Sequence, residues 1–363
     1  MENKELYIGV MSGTSLDGVD IVLCEIGTNS IKLLASYEHP FNKELKEKIL
    51  RLIKEPSTLK EIGEMDVKLA ELFSNAINLF LQNNSIDHKE IKAIGLHGQT
   101  LWHEPRSLYP FSMQLGSGSV VAARTHIDTV TDFRNADIAN GGEGAPFAPA
   151  FHKEVFNSLG KDIAVVNIGG MANITLLGES VLGWDTGCGN VLLDAFIQKS
   201  QKRALDKDGA FAKSGRLNME LLQKMLKDPY FLQAPPKSTG REYFSLAWLQ
   251  NYTQAFVNIP DADIQRTLLE LTALTIAKEV NRSHAKKLIL CGGGAKNSFL
   301  CDRLKDLCLC EVERSDTYGI SSDFLEAMLF AWLAYKRIHL QKVKLSTITG
   351  AKKDTILGAL YSA

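Results

Sequence analysis

The sequence contains no long hydrophobic run of the kind that forms a membrane span or the core of a signal peptide. Its first apolar segment covers only residues 6–10, whereas a membrane-spanning helix needs about 20 apolar residues and a signal-peptide core about 7–15. We therefore expect a protein that is neither exported nor inserted in a membrane, and we predict a cytoplasmic location.

The chain also lacks a surplus of either charge, since 41 Lys and Arg residues stand against 42 Asp and Glu residues, for a formal net charge of −1. Proteins that attract nucleic acid or anionic lipid through a general electrostatic field need a basic surplus. The charge balance therefore predicts no nucleic-acid partner and no membrane partner. We expect the protein to recognise a small molecule through local contacts instead.

Cysteine is sparse, and its spacing does not suit a zinc site. Cys301, Cys308 and Cys310 lie close together in the sequence, but no fourth Cys or His follows at the spacing of zinc ligands. In a chain without an export signal we expect the six cysteines to be reduced, structural thiols.

The first predicted strand, residues 6–10, leads into the turn Met11-Ser-Gly-Thr-Ser-Leu-Asp-Gly-Val-Asp20. Glycine lets backbone N–H groups approach an anion, and Thr14 and Ser15 add hydroxyl donors, a combination that suits phosphate. Asp17 and Asp20 are candidate contacts to a divalent cation, directly or through water. An ordinary polar hairpin accounts for the same residues, so this segment alone leaves both interpretations open.

At 363 residues the chain is longer than one hydrophobic core usually serves, so we predict two domains. Both halves show an apolar hairpin with a glycine turn, then helical periodicity, then another apolar strand that ends in a polar or glycine-rich turn. The predicted strands are residues 6–10, 19–26, 31–37 and 91–96 in the first half, and 163–168, 174–177 and 287–291 in the second.

The turns of the second half are Gly169-Gly170, between the hairpin strands, and Gly292-Gly-Gly294, after the last strand, where the first half has His97-Gly-Gln-Thr100. We interpret this order as a duplication that places glycine-rich turns on opposite sides of a cleft. It resembles the acetate and sugar kinase, heat-shock chaperone and actin superfamily, whose two ribonuclease-H-like lobes close over ATP.

Within that superfamily, short motifs along most of the chain resemble the anhydro-N-acetylmuramic acid kinase family. Each motif is weak alone, and their combination is specific. They are Gly13-Thr-Ser-Leu-Asp-Gly-Val-Asp20, His97-Gly-Gln-Thr100, Asp132-Phe-Arg134, Gly141-Gly-Glu-Gly-Ala-Pro146, Asn167-Ile-Gly-Gly170, Asp185-Thr-Gly187, Gly292-Gly-Gly-Ala295 and Phe330-Ala-Trp-Leu333.

The resemblance implies an α/β protein with two ribonuclease-H-like lobes of duplicated topology and an ATP cleft between them. We predict one lobe from residues 1–125 with the tail 340–363, and the other from residues 126–339. The implied reaction is ATP-dependent: water opens the 1,6 bridge of 1,6-anhydro-N-acetylmuramic acid while O6 takes the γ-phosphoryl group. ATP, Mg²⁺, an amino-sugar substrate and a homodimer are the implied cofactors and partners.

The resemblance also implies roles for individual residues. Asp185 and Arg134 are the predicted catalytic residues, and the predicted sugar contacts are His97, Gln99, Arg134, Asp185 and Glu326. The predicted nucleotide contacts are Gly13, Thr14, Ser15, Leu16, Asp17, Gly18, Val19, Asp20, Gly169, Gly170, Gly292, Gly293 and Gly294.

Each of these roles has a structural alternative. Asp185, which we expect at the end of a strand as the base for water, also suits a capped turn. Arg134 is a candidate to bind a carboxylate or a phosphoryl group, and its structural alternative is a surface ion pair with Asp132 or Asp137. His97 is a candidate ligand contact or a buried, hydrogen-bonded histidine, and Glu326 also suits the first turn of a helix.

The sequence departs from its expected relatives at three positions. Met11 and Asn167 occupy places where the superfamily commonly has an acid near the metal, so the direct ligands of Mg²⁺ are not assigned. Cys188 stands where we expect proline after the Asp185-Thr-Gly187 motif, which affects the geometry of that turn. The polar segment Lys237-Ser-Thr-Gly-Arg-Glu242 is predicted to be a loop and has no assigned role.

Other functions remain as alternatives. One is a kinase of the same fold for a hexose or a carboxylate, whose base would deprotonate a hydroxyl group instead of water. Another is a nucleotide-switched binding protein, which would need a further domain that is not visible in 363 residues. A hydrolase with Ser12 or Ser15 as nucleophile is disfavoured because no G-x-S-x-G motif surrounds either residue.

Overall fold

The computed structural model describes residues 4–13, 16–28, 30–235, 237–256 and 258–363. The chain forms two compact units, the first from Met1–Val155 with Phe324–Ala363 and the second from Phe156–Asp323. Among the described residues, no helix is both long and apolar enough to cross a bilayer. All six cysteines are free thiols.

The first unit is built around one mixed sheet with helices on both faces. Its strands are β1 Glu5–Ser12, β2 Gly18–Ile26, β3 Ile31–Pro40, β4 Ile91–Glu104, β5 Phe111–Leu115, β6 Thr129–Thr131 and β12 Ala359–Tyr361. Its helices are α1 Lys43–Lys54, α2 Leu59–Asn83, α3 Gly118–Thr125, α4 Phe133–Ile138, α5 Ala148–Phe156, α13 Leu325–Ile338 and α14 Ser346–Thr349.

The long helix α2 shows how the sequence defines an element of this unit. Thr58 and Glu61 form a reciprocal capping box, with Glu61 N donating to Thr58 Oγ1 at 3.2 Å and Thr58 N to Glu61 Oε2 at 2.9 Å. The apolar residues at helical spacing, among them Phe73 and Ile77, are buried against β1 and β2 in one hydrophobic cluster. Burial of this stripe fixes α2 on one face of the sheet.

The strand order of the first sheet is β12-β6-β4-β1-β2-β3, and β5 pairs with β4. Strands β1, β2 and β3 form an antiparallel meander, whereas β4 runs parallel to β1 and β6 parallel to β4. The central strand β1 thus has a hydrogen-bonded neighbour on each edge, and helices α2 and α13 pack on its two faces, which agrees with its continuous apolar sequence.

Helix α13 packs on β1 and β4 so closely that glycine is required beneath it. A Cβ atom on Gly9 would lie 1.9 Å from the carbonyl oxygen of Ala327, and one on Gly95 would lie 1.9 Å from that of Phe330. No side chain fits at these distances without displacement of the helix backbone. The two glycines thus set the position of α13 on the sheet.

The second unit contains a smaller sheet and a predominantly helical region. Its strands are β7 Ile163–Ile168, β8 Met171–Leu177, β9 Val181–Cys188, β10 Lys287–Cys291 and β11 Glu311–Arg314. Its helices are α6 Val191–Gln201, α7 Ala210–Ser214, α8 Met219–Leu226, α9 Pro229–Leu232, α10 Leu246–Thr253, α11 Asp261–Arg282 and α12 Ser298–Leu307. Short 3₁₀ helices span His88–Glu90, Asn157–Leu159, Lys207–Gly209, Gly293–Lys296 and Ser315–Tyr318 along the chain.

The second sheet repeats the topology of the first. Its order is β11-β10-β7-β8-β9, with an antiparallel meander of β7, β8 and β9 and with β10 and β11 parallel to β7. The corresponding strands of the first unit are β6, β4, β1, β2 and β3, in the same order and the same directions. The predicted α/β fold of duplicated topology is confirmed by this correspondence.

The boundaries of the two units differ from those predicted. The units divide after residues 155 and 323, whereas the predicted lobes divide after residues 125 and 339. Strand β6, Thr129–Thr131, pairs with β4, and helix α13, Leu325–Ile338, packs on β1 and β4, so both belong to the first unit. The sequence around each position has ordinary strand or helix character. Only the pairing with distant strands assigns them to this unit.

Two strands also extend further than predicted. β4 continues from the predicted 91–96 to Glu104 because β5 pairs with it from Gln99 onwards, so His97 and Gln99 lie within a strand instead of after it. β9 continues to Cys188 because β8 pairs with it, so Asp185 likewise lies inside a strand. In both cases the partner strand supplies the hydrogen bonds that keep the chain extended.

We predict that Gly95→Ala lowers the free energy of unfolding by about 2 kcal/mol or more, because the added methyl group displaces the backbone of α13. The matched control is Gly63→Ala in α2, where an added Cβ has no atom within 4 Å and should instead stabilise the helix by about 1 kcal/mol. Urea denaturation of both variants measures this difference. Equal effects of the two substitutions would contradict the close approach of α13.

Candidate active site

The opening turn contains few side chains that are free to reach a ligand. Leu16 and Val19 are buried in the hydrophobic cluster of the first unit, and Asp17 lies 3.5 Å from the ammonium group of Lys46. Of the predicted nucleotide contacts, Thr14 and Ser15 lie outside the described residues. What the described part of the turn offers to a phosphate group is therefore mainly the backbone around Gly13 and Gly18.

Gln99 ties this turn to strand β4. Its Oε1 accepts a hydrogen bond from Ser12 Oγ at 2.6 Å, and its Nε2 donates to the carbonyl of Gly13 at 3.4 Å. The side chain is 1% exposed. In this structure Gln99 thus supports the turn from beneath, a role that sequence reasoning did not anticipate.

His97 is buried, and its two neighbours define its protonation. Nδ1 lies 3.3 Å from the carbonyl of Ser12, which only accepts, and Nε2 lies 2.9 Å from Nη2 of Arg134, which only donates. The proton therefore resides on Nδ1, and the ring is neutral. Burial, and secondarily the charge of Arg134, lowers the pKa of His97 to about 3.

Arg134 is held by contacts within the first unit. Besides its contact with His97, its Nη1 donates to the carbonyl of Gly144 at 3.2 Å. The alternative ion pairs are not formed, because Asp132 accepts from Asn135 and Asp137 accepts from Gly144 N and Thr349 Oγ1. The guanidinium group is thus placed by a neutral histidine and a backbone carbonyl, neither of which neutralises its charge.

Glu326, in the first turn of α13, is the acid whose charge acts on Arg134. Its side chain reaches solvent, although protein atoms surround most of it. Desolvation by the surrounding protein raises the pKa of Glu326, and the positive charge of Arg134 only partly offsets this effect. Asp323, its neighbour in sequence, belongs to the second unit and pairs with Lys296 at 2.7 Å.

In the second unit, the glycine turns at the ends of β7 and β10 lie against each other. A Cβ on Gly292 would be 2.2 Å from Oδ1 of Asn167, and one on Gly294 would be 2.3 Å from the side chain of Ile168. Gly169 and Gly170, which follow Ile168, accept hydrogen bonds from the backbone of residues 189–191 at the start of α6. The predicted phosphate turn and the predicted adenosine turn are therefore adjacent.

Asp185 lies at an irregularity of the edge strand β9. Asn173 of β8 pairs with Asp185 while Ala172 pairs with Gly187, so the register shifts there. Such a shift redirects side chains, and irregularities of this kind are common at active sites. The backbone carbonyl of Asp185 also accepts from the hydroxyl group of Tyr230 at 2.8 Å.

The loop at residues 237–242 holds the Asp185 carboxylate. Asp185 Oδ2 accepts from Thr239 N at 2.9 Å and from Ser238 Oγ at 3.1 Å, and the Asp185 backbone N donates to Lys237 O at 3.0 Å. Among the described residues, Oδ1 has no hydrogen-bond partner. Burial raises the pKa of Asp185, an effect that the two donors reduce but do not cancel.

Ser238, Thr239 and Tyr230 are functional candidates that sequence reasoning missed. The one available signal was the polar, glycine-containing composition of residues 237–242. It indicated a loop but not which residue the loop would contact, because Asp185 lies far away in the sequence. The structure supplies that link.

The part of the chain that the structure describes contains no group of three or more His, Cys, Asp or Glu side chains that would hold a metal ion. Asp20 lies opposite Met11 in the β1–β2 ladder. Cys188 is buried, and its carbonyl accepts from Thr272 Oγ1 at 2.9 Å. Thr272 thus helps to fix the backbone at residue 188, where we expected proline.

The repeated strand order, with glycine turns after corresponding strands, defines the class of the protein: it has the duplicated ribonuclease-H-like fold of the acetate and sugar kinase, heat-shock chaperone and actin superfamily. Residues 5–363 match the family described as anhydro-N-acetylmuramic acid kinase. The chain belongs to this family, as its motifs predicted.

Relatives of that name cover the chain from end to end. The anhydro-N-acetylmuramic acid kinase of Sulfurimonas denitrificans is 53% identical over 366 residues, which is 99% of this chain and 100% of the relative. That of Vibrio vulnificus strain CMCP6 is 46% identical over 369 residues and covers 100% of both chains.

Solved structures show a weaker likeness. The activator of the 2-hydroxyisocaproyl-CoA dehydratase from Clostridium difficile with bound ADPNP has a TM-score of 0.47 at 11% identity, over 91% of this chain and 94% of the activator. A ROK family glucokinase from Streptomyces griseus in complex with glucose and AMPPNP has a TM-score of 0.41 at 14% identity, over 91% and 99% of the two chains.

We predict that His97 makes the stability of the protein depend on pH. Between about pH 6.5 and pH 3, His97 is protonated in the unfolded chain but neutral in the folded protein, whose His97 has a pKa of about 3. The free energy of unfolding therefore falls as the pH falls through this range. At pH 5 this group alone should cost about 2 kcal/mol relative to pH 7.5.

Urea denaturation at the two pH values measures the effect. His97→Gln keeps an acceptor for Arg134 and should lose less stability between pH 7.5 and 5 than the wild type, by about 2 kcal/mol. His284→Asn, at an exposed histidine with positive φ that asparagine also adopts, is the control and should behave as the wild type. An unchanged pH dependence in His97→Gln would contradict the buried, neutral state of His97.

Proposed function

We propose that the protein uses ATP and water to convert 1,6-anhydro-N-acetylmuramic acid to N-acetylmuramic acid 6-phosphate and ADP, a step of cell-wall recycling. Membership of the anhydro-N-acetylmuramic acid kinase family carries this proposal, and it confirms the predicted ATP-dependent sugar kinase at the level of the family. The reaction needs a base for water and a cationic environment for the phosphoryl group, and the described residues contain candidates for both.

In the proposed reaction, Asp185 accepts a proton from water as the water oxygen bonds to C1 of the sugar. The C1–O6 bond breaks and its electron pair goes to O6. O6 then forms a bond to the γ-phosphorus of ATP, while the bond from that phosphorus to the β–γ bridging oxygen breaks and ADP leaves. The proton passes from Asp185 to solvent, so that atoms and charges balance.

The environment of Asp185 supports its role as the base. Ser238 and Thr239 occupy one oxygen and fix the carboxylate, while Oδ1 has no partner among the described residues and is available to water. A raised pKa makes the carboxylate a stronger base than an ordinary aspartate.

For the sugar we assign Arg134 and Glu326 as direct contacts. Arg134 carries a charge that its protein neighbours His97 and Gly144 leave uncompensated, which suits the lactyl carboxylate of the substrate or phosphoryl oxygens. Both ring nitrogens of His97 are already used, and Gln99 is bonded to the opening turn, so we assign these two residues to positioning.

For ATP we assign the backbone around Gly13 and Gly18, the Gly169–Gly170 turn and the Gly292–Gly294 turn. Mg²⁺ would neutralise phosphate charge, held mainly by phosphate oxygens and water, because the described residues contain no cluster of metal ligands. Asp20 is the carboxylate that we assign to a contact through water. The cytoplasm, where ATP is available, is the proposed location, and a homodimer stays a prediction that light scattering tests.

We predict that Asp185→Asn lowers sugar-dependent ADP release about 1,000-fold, because the amide cannot accept the proton of water. ATP binding, measured by calorimetry, should remain. The matched control is Asp302→Asn at an exposed position of α12, which should have wild-type activity.

The assay uses a panel of sugars that includes 1,6-anhydro-N-acetylmuramic acid, N-acetylmuramic acid and glucose. Activity of the wild type on the anhydro sugar, and its loss in Asp185→Asn, is the expected result. Near-normal turnover by Asp185→Asn would remove Asp185 as the base. A wild type that phosphorylates only sugars without the bridge would replace the proposed function with an ordinary hexose kinase.

A further inference from the structure

The loop at residues 237–242 is anchored from its first residue. The Lys237 side chain is buried, with Nζ 3.3 Å from the carbonyl of Tyr230, 4.8 Å from the centre of the Tyr230 ring and 4.0 Å from Oε1 of Glu279. Tyr230 in turn donates to the carbonyl of Asp185. The start of the loop is therefore fixed to the same groups that position Asp185.

The end of the loop is also fixed. The backbone N–H groups of Tyr243 and Phe244 both donate to the carbonyl of Gly240, at 3.1 Å each, and the Phe244 side chain is fully buried. Tyr243 further donates through its hydroxyl group to Asp228 at 2.7 Å. A short segment held at both ends leaves Arg241 little freedom in the direction of its backbone.

Between these anchors, Arg241 lies against the Gly169–Gly170 turn. A Cβ atom placed on Gly170 would be 3.3 Å from Nη2 and 3.4 Å from Nε of Arg241. The guanidinium group therefore lies directly over Gly170. Because glycine has no side chain, the space between them stays open. Glycine at this turn lets the cation and the backbone approach the same ligand.

Arg241 has the character of a ligand-binding cation. Its side chain is exposed, and among the described residues it has no carboxylate partner and no hydrogen-bond acceptor. A guanidinium group offers a planar set of donors that matches the oxygens of a phosphoryl group. A position over a glycine turn at the end of a central strand therefore favours a ligand-binding role for Arg241 over a role in solubility alone.

We propose that Arg241 is a further catalytic residue, which contacts the phosphoryl group in transfer and stabilises its charge. This inference rests on the proposed function, because it takes the Gly169–Gly170 turn as a phosphate site. It adds a link that the function alone does not require: residues 238 and 239 hold the base for water while residue 241 serves the phosphoryl group, so one short loop positions both parts of the reaction.

The bonds made and broken are those already given for the proposed reaction, and Arg241 takes no proton. It acts on the negative charge that is spread over the three equatorial oxygens of the phosphoryl group in the transition state. It should therefore affect kcat much more than the affinity for ADP, which lacks the transferred group.

The test compares Arg241→Met, Arg241→Lys and the matched control Arg203→Met, at an exposed arginine after α6. We expect Arg241→Met to lower kcat about 100-fold or more, with the affinity for ADP within about threefold of wild type. Arg241→Lys should retain part of the activity, and Arg203→Met all of it. A further variant, Arg241→Ala, should regain part of its activity when free guanidinium ions are added. A merely structural role of Arg241 would not allow this recovery.

The pH profile separates this role from an effect on the base. Asp185 is intact in the Arg241 variants, so the acid limb of kcat should stay where it is in the wild type. An unchanged kcat in Arg241→Met, or a raised KM for the sugar with kcat unchanged, would overturn the inference while the proposed function stands. A wild type with no activity on the anhydro sugar would overturn both.

Discussion

The approach of helix α13 to strands β1 and β4 is the constraint on which the candidate site of the first unit depends. Gly9 and Gly95 allow the helix backbone to touch the sheet, and this contact brings Phe330 against the ring of His97, with 4.7 Å between ring centres. The buried ring stays neutral, so it accepts from Arg134 and leaves the positive charge of that residue available. Glu326, in the first turn of the same helix, is the acid whose charge acts on Arg134, without forming an ion pair with it. The packing of a helix on two glycines thus determines the electrostatic environment of Arg134, which we propose as a catalytic residue.

In the second unit, the candidate site depends on how the protein holds the partly desolvated carboxylate of Asp185. Asp185 is paired with Asn173 next to the register shift in β9, and the loop at residues 237–242 supplies donors to one of its oxygens. Burial raises the pKa of Asp185, and the hydrogen bonds from Thr239 and Ser238 reduce that effect without cancelling it. We propose that this environment gives the carboxylate the basicity that activation of water requires. The same loop carries Arg241 to the Gly169–Gly170 turn.

The duplicated fold, the family and the sugar-kinase class were all predictable from the sequence, because strand periodicity, glycine turns and short motifs are local features. The membership of β6 and α13 in the first unit was not, since it depends on pairing and packing with strands more than thirty residues away. The length of β4 depends on β5 in the same way, and so His97 and Gln99 lie inside a strand. The contact of Ser238 and Thr239 with Asp185 could not be predicted either, because no local pattern identifies the partner of a polar loop.

The central claim is that one protein couples the opening of a 1,6-anhydro bridge by water to phosphoryl transfer, with Asp185 as the base for that water. The most direct measurement is the reaction of 1,6-anhydro-N-acetylmuramic acid and ATP in water enriched in a heavy oxygen isotope, followed by mass spectrometry of the sugar phosphate at early times. We expect one labelled oxygen at the anomeric carbon and none in the phosphoryl group. Label in the phosphoryl group, or an anomeric carbon that carries only unlabelled oxygen before exchange with solvent, would contradict it.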